Sequence, residues 1–161
     1  MKKVLIVLAL VALVLVPVAA KGATAIGGEV GEPTGITFRY DMEDKWDGYA
    51  TVGGSFWGSH GYLNAAVGAE IKVADFNIDK AKFNVNVGAQ VGFDFSFNKD
   101  YAYTAIAARG TGSVSYDFTI NNKSDFTAYI RLGLGARFKL SGEADINLFS
   151  WAGVLGLVYH L

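Results

Sequence analysis

From residue 83 to residue 97 the chain alternates without a break. Phe83, Val85, Val87, Ala89, Val91, Phe93, Phe95 and Phe97 fall on one side; Asn84, Asn86, Gly88, Gln90, Gly92, Asp94 and Ser96 fall on the other. A period of two belongs to a strand with two unlike faces, and a helix cannot present it. Segment 126–140 repeats the pattern, with Phe126, Ala128, Ile130, Leu132, Leu134, Ala136, Phe138 and Leu140 set against Thr127, Tyr129, Arg131, Gly133, Gly135, Arg137 and Lys139. Turn signals divide the chain after its leader into eight such segments, at 23–31, 35–43, 47–57, 61–74, 80–97, 101–120, 125–140 and 144–161. The connections between them are short, among them Glu32-Pro33-Thr34, Asp75 to Asp79 and Asn121 to Ser124. Short connections suit sequential antiparallel hairpins.

The leader reads differently. Lys2 and Lys3 precede an unbroken apolar run from Val4 to Val16, then Pro17 and the small residues Ala19, Ala20, Ala23 and Ala25. This is the layout of a secretory signal peptide, helical in its apolar part and too short for a transmembrane helix of about 20 residues. Cleavage after Ala20 is preferred, because strand character begins at Ala23; cleavage after Ala25 is the alternative. The expected organisation is a signal peptide over 1–20 and a single domain over 21–161.

Eight antiparallel strands, each at least the roughly 9–11 residues that cross a tilted bilayer path, predict an all-β, up-and-down transmembrane barrel. Only a closed barrel leaves a sheet with no free edge in lipid. A soluble, lipocalin-like periplasmic barrel has the opposite polarity, apolar inside and charged outside. Three features favour the membrane form. The polar face is rich in Gly, Ala, Asn, Ser and Thr, which suit a narrow lumen. The aromatic residues fall into two levels, Phe56, Trp57, Tyr62, Phe93, Phe95, Phe138 and Phe149 near one end, and Tyr40, Tyr116, Phe118, Phe126 and Tyr159 near the other. Membrane interfaces select such girdles. The chain closes on Leu155, Leu157, Tyr159 and Leu161 at alternate positions, which resembles the C-terminal signal of the outer-membrane assembly machinery; Leu161 stands where Phe or Trp is usual.

The chain as a whole resembles the small eight-stranded outer-membrane barrels of the OmpA and OmpX type. Its Gly31-Glu32-Pro33-Thr34-Gly35 turn is similar to one in a set of uncharacterised small outer-membrane barrels. The resemblance implies a fold and a location, the outer membrane of a two-membrane bacterium reached by export, with lipid and the assembly machinery as partners. It leaves activity open.

The strand register directs Glu29, Arg39, Asp41, Glu70, Lys72, Asp94, Arg109, Asp117, Arg131, Arg137 and Lys139 into the lumen. Buried charges persist only when paired, so this near-balanced set reads as an ion-pair plug that fills a monomeric barrel. The expected pairs are Asp117 with Arg131, and Glu29 with Arg109 beside Arg137. A narrow pore is the alternative use of the same charges.

Little points to catalysis. Ser59 and His60, with Asp100 or Glu143 near by, are the residues a rim-active lipid-modifying enzyme would use, but adjacent residues on a turn diverge. The chain has no cysteine and two histidines, which excludes thiolate chemistry and supports no metal site. Charged residues are 18% of the chain and the formal net charge is −1, with no basic stripe for nucleic acid. No cofactor is implied. The reading is a non-catalytic barrel with a structural or surface-interaction role.

Overall fold

The computed structural model describes residues 24–41, 46–57, 60–97, 102–121, 124–140 and 145–161, without the side chains of 41, 55–57, 60, 97, 102, 145 and 146. The expected signal peptide, together with Ser59, Asp100 and Glu143, lies outside these residues. Eight strands make up the described chain: β1 (Ala25–Gly31), β2 (Gly35–Asp41), β3 (Trp46–Trp57), β4 (His60–Ile78), β5 (Ala81–Phe97), β6 (Ala102–Ile120), β7 (Ser124–Lys139) and β8 (Asp145–His160). Each pairs antiparallel with the next, and β8 pairs with β1, so the sheet is a closed barrel in sequence order. The end where β1 begins and β8 finishes is called the lower end below.

Two strand boundaries depart from expectation. The first is the end of β4. Residues 75–79 were expected to form a turn, yet β4 runs on to Ile78 and the connection shrinks to Asp79 and Lys80. A bulge between Lys72 and Ala74 is the cause. It sets Val73 out of register, and the alternation then resumes one residue late, with Phe76 opposite Phe83. A bulge inserts one residue and preserves the faces beyond it. Asp79 closes the turn at φ 53°, a left-handed conformation that Asp tolerates. The second departure is at β1, which begins at Ala25 and has 7 residues; β2 is described to Asp41, and residues 42 and 43 of its expected span lie outside the described residues.

The β1–β2 turn is closed by its own side chain. The Gly31 N–H donates to Thr34 Oγ1 (2.9 Å), whose hydroxyl donates back to the Gly31 carbonyl (2.7 Å). The Glu32 N–H donates to the Gly153 carbonyl (3.0 Å). Gly31 has φ 131°, and a Cβ there would stand 2.0 Å from the Gly153 oxygen, so this position requires glycine.

The wall is apolar outside and polar inside. Leu132, Leu134, Ile130, Leu155 and Trp151 are more than half exposed on the outer face, while Glu29, Glu70 and Arg131 are at most 3% exposed within. Among the described residues, no Asp, Glu, Lys or Arg occupies an outward-facing ladder position. Near the lower end a ladder of rings runs from strand to strand across half the barrel, through Phe76, Phe83, Tyr116, Phe118, Phe126 and Tyr159, with neighbouring centroids 5.2–5.7 Å apart. Phe76 belongs to this ladder only because the bulge returns it to the outer face.

Candidate functional site

The candidate site is the lumen, which is organised in three storeys. The middle one is built on Arg131 of β7. Its Nε donates to Glu70 of β4 (2.9 Å) and its Nη1 to Glu29 of β1 (3.4 Å). The guanidinium carbon lies 3.6 Å from the ring centroid of Tyr49 and 4.9 Å from that of Tyr129. The Tyr129 hydroxyl donates to Glu29 (2.7 Å), and Ser113 donates to Glu70 (2.9 Å). Two glycines make the room: a Cβ on Gly68 would stand 2.4 Å from the Tyr49 ring, and one on Gly156 would stand 2.2 Å from the Tyr129 ring. Large residues on β3 and β7 therefore lean over missing side chains on their neighbours. The result is a plug in which Arg131 ties β7 to β1 and β4, with Arg131 Nη2 and Glu29 Oε1 buried and without a hydrogen-bond partner among the described residues.

The upper storey contains Arg109, Asp94 and Arg137. Arg109 donates to Glu32 on the β1–β2 turn (3.0 Å) and to Ser150. Arg137 pairs with Asp94 (2.6 Å) and also donates to Tyr103. The Tyr62 hydroxyl donates to Asp94 (2.7 Å).

Among the described residues the lower storey is open. A cavity of about 190 Å³ is lined by residues that include Arg39, Asp47, Lys72, Asp117, Thr127 and His160. Arg39 pairs with Asp47 (3.3 Å). Lys72 pairs with Asp75 (3.0 Å), which Lys82 also approaches (3.3 Å). Asp117 accepts hydrogen bonds from Thr127 (2.6 Å) and Asn84 (3.1 Å).

Several expected contacts are replaced. Asp117 does not meet Arg131. The β6–β7 register sets Asp117 opposite Thr127 and Arg131 opposite Ser113. Arg131 reaches across the lumen instead of along the wall. Glu29 does not serve Arg109, because Arg131 and Tyr129 occupy it and Glu32 takes its place. Tyr62 is not a girdle residue; it lies on the lumen side, bonded to Asp94. Lys139 has its place at the upper end of β7, where it is exposed. The side chains of Asp41, Phe56, Trp57 and His60 lie outside the description. Phe93, Phe95, Phe138 and Phe149 lie towards the upper end of the outer face, and Tyr40 lies near the lower end, against Gly48.

The residues that sequence reasoning missed are Tyr49, Glu32, Asp47 and the Thr127–His160 contact. Tyr49 carried a signal: a bulky side chain on the small-residue face needs a glycine beside it, and Gly68 is its β4 partner. Glu32 carried none, since it sits on a turn. Among the described residues no group of three His, Asp or Glu side chains is placed to hold a metal ion. Comparison with protein-family models, with curated proteins and with solved structures gives no match.

Proposed function

We propose that this chain is an integral outer-membrane barrel of the small, single-domain type, exported by its leader and serving a structural or surface-interaction role. The observation that supports this most is the absence of any Asp, Glu, Lys or Arg from the outward ladder positions of the described strands, while large apolar side chains there stand more than half exposed. A water-soluble monomer rarely exposes an apolar patch beyond about 300–600 Å². A belt that encircles the molecule needs an apolar solvent.

The dimensions agree. Phe126 and Phe138 are 12 residues apart on β7, as are Phe83 and Phe95 on β5. At about 3.3 Å per residue and a tilt of roughly 40°, that is about 30 Å along the barrel axis, the thickness of a hydrocarbon core. The short β1–β2 hairpin ends within this belt, and its turn meets several of its own backbone groups while Glu32 turns to Arg109. Thr34 and Gly31 bond each other, Glu32 donates to Gly153, and Pro33 has no N–H to satisfy. The resemblance to small outer-membrane barrels points the same way. The plug favours a closed lumen over a narrow pore, since an eight-stranded barrel is just wide enough for side chains to fill.

Fractionation tests this reading. The protein should remain in membranes after carbonate washing and migrate faster on gels unboiled than boiled. A protein that washes off and migrates alike in both states would sink the proposal.

A further inference from the structure

Below Arg131, the 190 Å³ cavity has room for about six waters, or for one small molecule of that bulk. Four walls a quarter-turn apart each present a charged or titratable group to it, Arg39 on β2, Lys72 on β4, Asp117 on β6 and His160 on β8, and Asp47 on β3 lines it beside Arg39. In a ring of eight strands β2 and β6 are opposite, so a guanidinium faces a carboxylate across the opening.

These charges are held differently. Arg39 is buried, donates to Asp47 and lies 5.3 Å from the ring centroid of Tyr129. Lys72 is about one-third exposed and pairs with Asp75. Asp117 pairs with no Lys or Arg among the described residues and accepts from neutral donors alone, Thr127 and Asn84. The Thr127 hydroxyl has one proton, and it goes to Asp117. Its 2.7 Å contact with His160 Nε2 must therefore be donated by the histidine. The chain of bonds runs from His160 through Thr127 to Asp117 and fixes the carboxylate in place, with no Lys or Arg bonded to it among the described residues.

A fixed carboxylate across from a guanidinium and an ammonium is a layout that recognises opposite charges at the two ends of one molecule. We propose that this vestibule binds a small zwitterion with well-separated charges, its ammonium on Asp117 and its carboxylate on the side of Arg39 and Lys72. The plug forms the ceiling, so the molecule enters and leaves by the lower end. The site is one of binding, not of passage. The cavity belongs to the fold, and the proposal does not depend on the membrane reading.

The test uses 6-aminohexanoate as probe, with hexanoate, hexylamine and glycine as controls that lack one charge or carry both close together. Calorimetric titration and amide chemical shifts of Thr127 and His160 are read on the folded protein, in detergent micelles or, if it proves soluble, in buffer. The probe should bind and shift both residues, and each control should bind about tenfold more weakly or worse. Asp117→Asn keeps an acceptor for Thr127; it should weaken the probe about tenfold and leave hexanoate unchanged. Lys72→Gln should weaken hexanoate and the probe but not hexylamine. Far-ultraviolet circular dichroism of each variant separates lost binding from a lost barrel. The proposal is overturned if the probe produces neither heat nor shift, if hexanoate binds as tightly as the probe, or if Asp117→Asn binds the probe like the parent protein.

Discussion

Arg131 and Leu132 are adjacent on one strand and stand in opposite surroundings. Arg131 points inward, is 3% exposed and is bonded to two carboxylates and stacked on two tyrosine rings. Leu132 points outward and is 61% exposed, on a face whose described ladder positions carry no charge. A soluble barrel would exchange these environments. Here the charged side chains are gathered where other protein groups can pair with them, and the apolar ones face the solvent. The wall thus separates an interior where charges find protein partners from an outer face whose ladder positions, among the described residues, carry none.

Arg131→Ala breaks the inner half of that comparison and should have the largest effect. It leaves Glu29 and Glu70 buried without their cation, a loss of about 3–5 kcal/mol. Urea titration of the folded barrel, followed by tryptophan fluorescence, measures it. An unchanged midpoint would mean that the plug is not held by its charges.

Leu132→Arg breaks the outer half. Leu132 lies midway between Phe126 and Phe138, at the centre of the proposed membrane belt. An arginine there should cost about 2–4 kcal/mol in a bilayer. In a water-soluble barrel the same change at an exposed position would be close to neutral, so refolding into lipid vesicles distinguishes the two solvents directly.

Thr127→Val sharpens the comparison by moving down the lumen. It removes the link between Asp117 and His160, but both can turn to water in the open vestibule. The expected loss is about 0.5–1 kcal/mol, well under that of Arg131→Ala. Equal losses from the two variants would show that the lower storey is as closed as the plug.

Much of this architecture was legible in the chain. The alternation at 83–97 and 126–140 is a local property, and it assigned the faces of β5 and β7 correctly because the side-chain period of a strand is two wherever the strand lies. It failed where one residue slips out of register. The bulge at Lys72–Ala74 hid four further residues of β4, and with them the place of Phe76 in the aromatic ladder. Tyr62 was misplaced for another reason: its aromatic character suggested the interface, whereas its parity put it with Asn64 in the lumen.

The amino-acid sequence by itself determined the eight antiparallel strands, their order and the sorting of charge to one face, since these follow from local patterning and short turns. The tertiary structure alone decided which charges meet. Glu70 is 61 residues from Arg131, and Glu29 is 102 residues from it. They converge because closing a sheared sheet stacks side chains from distant strands at one level of a narrow lumen. Neighbouring strands offered Arg131 only Ser113 and Val154 as direct partners. Its carboxylates came from β1 and β4, two and three strands away around the ring, a separation no local pattern encodes.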